Sequence, residues 1–171
     1  HRLDKGTSGV MVVAKKNQAH TALSQQLSSK DMGRIYLALC DLPLKENCVI
    51  DRPISRHPQN RLKNAVVSSG KPAKSAFANI ISSQNRRINL ISAKLFTGRT
   101  HQIRVHMKYV GHPIIGDFLY HPDYRFIERQ ALHSVYLRFA HPITKEWLEF
   151  HAPLPEDMAV LVPHNTTAHP M

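Results

Sequence analysis

The sequence predicts an α+β domain. Three observations carry this reading: pairs of strand-like segments recur across short turns, only two or three segments have helical spacing, and there is no internal repeat or low-complexity tract. With 171 residues, 42% of them hydrophobic, the chain can bury the core of one compact domain and is too short for two generous ones.

Taken in order, the chain opens with "HRLDKGTSGV", a glycine-rich turn, followed by the apolar run "VMVVAK" at 10–15, of strand length. Residues 17–29 carry Ala19, Ala22, Leu23 and Leu27 at helical spacing. In "RIYLALC", at 34–40, Ile35, Leu37 and Leu39 alternate with Tyr36, Ala38 and Cys40, so a strand is expected with Tyr36 facing away from Ile35 and Leu37. The segment 43–72 is rich in Pro, Asn, Ser and Arg and reads as loops with short strands.

"KSAFANII" and "RINLISAKL" read as a strand pair joined across "SSQNR". In "FTGRTHQIRVHMKYVGHP" the period changes: Ile103, Met107 and Val110 fall at i, i+4 and i+7, Thr97 and Thr100 are candidate N-caps, and Gly111 and Pro113 end the pattern. A helix is expected over about 100–110. "LHSVYLRFAHPITKEWLEFHAP" reads as a hairpin about a Pro-Ile-Thr-Lys turn. The expected domain is 1–160, with 161–171, ending "HNTTAHPM", as a tail.

The formal net charge is +11, and it is regional: 46–108 has a balance of +10, whereas 109–171 has −3. A basic stretch of this kind points to an anionic partner such as nucleic acid, against the plainer reading of a solvated surface. Cys40 and Cys48 form no CxxC pattern, and two cysteines make no disulfide framework, which fits a reducing cytoplasm. Despite 12 histidines there is no HExxH, and His101 and His106 lie off the one-turn spacing of paired ligands, so no metal site is expected.

No apolar run approaches the roughly 20 residues that span a bilayer, so no membrane partner is expected. The chain begins in mid-motif at His1, as a fragment lacking an N-terminal portion would.

Four blocks together, "HRLDKGTSGVMVVAK", "RIYLAL", "FTGRTHQIRVHMKYVGHPIIGDFLY" and "LHSVYLRFAHP…FHAPLP", resemble the RluA-like pseudouridine synthases nearly end to end. The resemblance implies a mostly antiparallel, bent sheet flanked by a few helices. It also implies isomerisation of uridine to pseudouridine in structured RNA, ribosomal RNA first and transfer RNA second, without a cofactor and by a monomer. Members have further strands ahead of the HRLD block, and many have a preceding RNA-binding domain; neither is in this sequence.

The reaction breaks the bond between ribose C1′ and uracil N1 and joins C1′ to C5. A carboxylate suits it, by attacking C1′ or shielding oxocarbenium character there. The resemblance implies that Asp4 is this group; an alternative role is removal of the ribose 2′ proton. It implies that Arg104 is the basic partner of Asp4, that Tyr36 contacts the target uracil, and that Arg2 fills the space left by the flipped base. Whether Tyr36 or a relayed group removes the C5 proton stays open.

Residue by residue, plainer roles compete. Asp4 would cap a turn or pair with Arg2, Arg104 would be a surface helix arginine, and Tyr36 would be a core tyrosine. Arg99 and His101 stand at the expected helix start, where free N–H groups and positive side chains suit phosphate. Arg61 and Lys63, with Arg52, Arg56, Lys71 and Lys74, are expected to attract the RNA backbone. The rival readings are a non-catalytic RNA-binding module or chaperone, which would gain nothing from an anion facing phosphates, and a hydrolytic nuclease, for which paired acids or histidines are lacking.

Overall fold

A computed structural model describes residues 1–83 and 87–163. The elements in chain order are β1 (Ser8–Gly9), α1 (Asn17–Ser28), β2 (Gly33–Asp41), β3 (Cys48–Asp51), β4 (Ile54–Arg56), β5 (Asn64–Val66), β6 (Lys74–Ser83), β7 (Ile88–Leu95), α2 (Gln102–Tyr109), β8 (Leu132–Ala140), β9 (Trp147–His151) and α3 (Glu156–Ala159). A seven-stranded sheet runs β1-β8-β2-β7-β6-β3, with β9 also on β8, and β4 and β5 form a separate two-stranded sheet. Every pairing is antiparallel except β1 with β8, so the α+β class expected from sequence is the class observed.

The β6/β7 and β8/β9 pairs lie where alternation places them; in the first, 84–86 of the expected connection lies outside the described residues. The segment 43–72 does hold short strands, β3, β4 and β5.

Two expectations fail. The run 10–15 is not a strand: only Ser8 and Gly9 pair with β8, opposite His133 and Ser134. Beyond Val135 that edge of β8 is taken by β9, which pairs from Tyr136 to Ala140, so the chain after Val10 has no ladder to join. The apolar alternation is spent differently, as Val10, Val12 and Ala14 pack on a cluster of Leu23, Met32, Leu137 and Phe139.

Nor do Thr97 and Thr100 cap α2. Its N-cap is His101, in the left-handed region at φ 58° and without a side-chain cap bond. Thr97 Oγ1 instead accepts from Lys74 N at 2.9 Å and bonds Gln102 Oε1 at 2.7 Å, and Thr100 Oγ1 accepts from Arg2. Both hydroxyls stitch the loop to its neighbours.

The main core cluster joins Ile103 and Met107 of α2 to residues from both faces of the sheet, Tyr36 and Ile91 on one and Leu39 and Leu90 on the other. Leu161 is buried in this core and Val162 packs against it. Every residue of α2 from Gln102 to Met107 is buried, which is why it carries polar side chains that find partners inside. His106 is one of them, with Nδ1 3.0 Å from Ser75 Oγ and Nε2 3.0 Å from the Arg52 carbonyl.

Burial lowers the His106 pKa below its ordinary 6.5, outweighing the Arg52 carbonyl and Asp51. The folded state therefore binds this proton less readily than the unfolded chain. The neutral imidazole's contribution is complete above about pH 6.5 and is lost as pH falls from there through the folded pKa. Unfolding in urea across pH 7 to 5 should show this loss of stability, and His106→Gln should reduce the slope with pH; an unchanged slope would contradict the assignment.

Candidate active site

The turn that opens the chain is built to hold a carboxylate still. Leu3 packs on the main core, and Thr7 N donates to the Asp4 carbonyl at 3.0 Å, closing a tight turn around Gly6 at φ 88°. The buried Gln130 donates to the Lys5 carbonyl at 2.7 Å and to Thr7 Oγ1 at 3.2 Å. Arg129, gripping Asp157 of α3, donates to the Gly6 carbonyl at 2.9 Å. A side chain at position 6 would meet Gln130 Oε1 at 2.9 Å, beside the strain of its positive φ.

Asp4 emerges from this turn onto Arg104. The guanidinium, 2% exposed, lies between two carboxylates: Nη1 is 3.3 Å from Asp4 Oδ2, while Nε and Nη2 reach the two oxygens of Asp117 at 2.6 and 2.8 Å. Asp117 is wholly buried and also accepts from the backbone N–H groups of Leu119 and Tyr120. The rings of Tyr120 and Phe118 stack near the guanidinium, with centroids 5.1 and 5.7 Å from Cζ.

Burial opposes the charge on Arg104, yet the hydrogen-bonded Asp117 and then Asp4 outweigh it, so its pKa is raised. The consequence is directional. One end of a planar fork is fixed by a buried bidentate partner, and the other end fixes Asp4, which keeps a quarter of its side-chain surface exposed to the cleft.

The structure brings Asp4, Tyr36, Arg104, Arg2, Arg99 and His101 to one cleft. Tyr36 stands opposite Ala93 of β7 and Ser134 of β8, just where β8 shifts register by one residue. Such a bulge re-aims side chains at a sheet edge or site. Burial raises the Tyr36 pKa, against the effect of Arg34, so it is a neutral phenol at neutral pH. Arg2 is exposed and donates to Thr100 Oγ1 at 3.1 Å, rather than to Asp4.

Arg99 is tied down, with Nε on the Pro72 carbonyl at 2.8 Å and its N–H on Gln102 Oε1 at 2.9 Å. His101 Nδ1 lies 2.8 Å from the Tyr120 hydroxyl. Burial and then the Arg104 charge lower its pKa, so it enters the cleft as a neutral hydrogen-bonder. Arg61 and Lys63 are not in this cleft. They lie between β4 and β5, tethered to the site through Asn64, whose N–H donates to Tyr120 Oη at 2.9 Å and whose side chain donates to the Thr100 carbonyl at 3.0 Å.

Sequence reasoning missed Asp117, Gln102, Tyr120 and Gln130. For Asp117 a signal existed: it is the sole acidic residue in 52–122, set in the apolar run "PIIGDFLY", where a charge needs a partner. Gln102, buried with Nε2 on the Lys74 carbonyl and Ser75 Oγ, had no comparable mark.

The structure thus sets a turn-borne aspartate, held by a helix arginine, in one cleft with a strand tyrosine of the mostly antiparallel sheet. The family model described as RNA pseudouridylate synthase matches residues 1–109, and the chain belongs to that family. It is 43% identical over 162 residues to an RNA pseudouridine synthase of Bacillus subtilis named as uncharacterized, covering 94% of this chain and 56% of that protein. It is also 43% identical over 175 residues to the ribosomal large subunit pseudouridine synthase D of Vibrio vulnificus, covering 94% and 53%. The chain thus spans about half the length of these relatives.

The human RNA pseudouridylate synthase domain containing 1 superposes with a TM-score of 0.76 at 28% identity, over 90% of this chain and 67% of that one. Domain containing 4 superposes at 0.75 and 23% identity, over 93% and 72%, and shares the fold.

The two carboxylates on Arg104 differ in burial and so in energetic weight. Asp117→Asn leaves a buried guanidinium with a neutral partner and should cost about 3–5 kcal/mol in urea unfolding. Asp4→Asn, at the solvent-facing end, should cost about 1 kcal/mol or less. Equal costs would contradict the division of labour.

Proposed function

We propose that this chain carries the catalytic centre of an RNA pseudouridine synthase, with Asp4 acting at the ribose of a flipped uridine. The observation that carries the reading is the Asp4–Arg104 pair, 3.3 Å apart, at a cleft shared with Tyr36. An anion fixed in so basic a region has no use in gripping phosphate and a clear use at an electron-poor carbon.

In the nucleophilic course, a carboxylate oxygen of Asp4 bonds to C1′ as the bond from C1′ to N1 breaks, its electron pair leaving with the uracil anion. The base then turns, C5 attacks C1′, and the bond to Asp4 breaks. Loss of the C5 proton restores aromaticity, and N1 gains a proton. In the other course Asp4 first takes the 2′ proton. Both need the carboxylate aimed, which is what Arg104 supplies.

Flipping a stacked base costs a few kcal/mol, which stacking offsets in part. Tyr36, as a neutral phenol, is suited to stack on uracil rather than to act as a ready base, which favours a relayed group for the C5 proton. Arg2, exposed above the cleft, is suited to fill the gap in the RNA. Arg99 and His101 line the approach to the cleft, and Arg61 and Lys63 offer charge to the RNA backbone further out. Ribosomal RNA is the first substrate assignment, supported by relatives named ribosomal large subunit pseudouridine synthase D, and transfer RNA the second. The cytoplasm follows from that substrate, and a cleft formed within one chain suits a monomer.

Asp4→Asn should abolish tritium release from RNA labelled at uracil C5 while leaving RNA affinity within about threefold. Persistent release, or loss of affinity with turnover intact, would sink the assignment and favour an RNA-binding module.

A further inference from the structure

Arg34 is a cation that the fold buries without neutralising. It lies on β2 two residues before Tyr36, hence on the same face of the strand, and is 8% exposed. Its Nε is buried and has no hydrogen-bond partner, and among the described residues its side chain makes no ion pair or hydrogen bond. Arg104, by contrast, has two carboxylates. Burial lowers the Arg34 pKa, the direction expected for a charge with nothing opposite it.

The guanidinium is not merely stranded in the core. It packs beneath Gly98, where an added Cβ would come within 2.8 Å of Nη1, so the loop comes down close over it. It lines the catalytic cleft with Asp4 and Tyr36, and also an adjoining depression of about 530 Å³ whose other charged walls are Arg2, Lys30 and Arg99. No carboxylate lines that depression. A buried unpaired guanidinium is costly to a fold, and the charged side chains that line the depression beside it are all cations.

We propose that Arg34 binds a backbone phosphate next to the reactive uridine, the depression beside it being the track by which the RNA strand reaches the cleft. The proposal rests on the reading of the cleft as a uridine isomerase site and adds to it a phosphodiester subsite. The phosphate would meet the part of the guanidinium that borders the cleft and the depression. With the phosphate gripped there, the ribose attached to it is held near Asp4 and the base near Tyr36.

The test uses the full-length protein and a short oligouridylate, made either with ordinary linkages or with one uncharged methylphosphonate beside the central uridine, on either side. For the wild type, one of the two neutral linkages should weaken binding about tenfold. Arg34→Met, which fills similar space without charge, should bind both RNAs alike and lower the slope of log K against log salt by about 0.7. Its melting temperature without RNA should not fall, since an uncompensated charge has been removed. Equal weakening for both RNAs, or a variant that keeps the tenfold preference, overturns the proposal.

If Arg34→Met does not fold, Arg34→Lys decides: it should weaken binding of the ordinary RNA severalfold and leave the methylphosphonate RNA unaffected, and parallel weakening overturns the idea. Tritium release without any linkage preference defeats the phosphate subsite alone. A linkage preference without release, in the wild type, defeats the isomerase reading and leaves the anion subsite standing.

Discussion

Everything at this site depends on one buried guanidinium having to be neutralised. Arg104 is 2% exposed, on a helix whose first six residues are all buried, and such a charge is tolerated only with close, well-aimed partners. Asp117 supplies the fixed half of that neutralisation, backed by two N–H groups. It is aimed inward by Gly116 at φ 73°, where a Cβ would sit 2.1 Å from the Arg129 carbonyl. The other half is Asp4, from a turn a hundred residues away in sequence and held by Gln130 and Arg129. The carboxylate is thus presented by both its own turn and its partner.

The same logic separates the charges of the region by function. Arg104 is satisfied internally and so is a poor phosphate ligand. His101 is kept neutral by burial and by Arg104, which leaves the cleft with less positive charge than its residue types suggest. The cations without a carboxylate partner among the described residues, Arg34, Arg2, Lys30 and Arg99, line the adjoining depression. Under the proposed function, phosphates would be drawn past the reacting carbon while Asp4 keeps its place beside it.

How far this was legible in the sequence depends on the range of each interaction. Alternation set β2, β6, β7, β8 and β9, because each is half of a local pair or lies against the core. It misread 10–15, because whether an alternating run becomes a strand depends on a free edge, and β9, more than 130 residues later, occupies it. Asp4, Tyr36 and Arg104 were legible through their motifs, and one cleft unites them. The bidentate Asp117, the left-handed cap at His101 and the unpaired Arg34 depend on three-dimensional placement. Of these only Asp117 left a mark in composition, as a lone acid in a basic, apolar stretch.

The central claim is that a planar fork, anchored on Asp117, aims the carboxylate of Asp4. Single-turnover rates of Arg104→Ala and Arg104→Lys on saturating RNA test it most directly, with RNA affinity measured alongside. The account predicts that Ala lowers the rate by at least about 100-fold and that Lys recovers only a part, since a point charge can neutralise Asp117 or meet Asp4 but cannot span both, with affinity little changed in either. A Lys variant turning over at the wild-type rate would show that charge alone suffices, and the orienting role of the fork would be wrong.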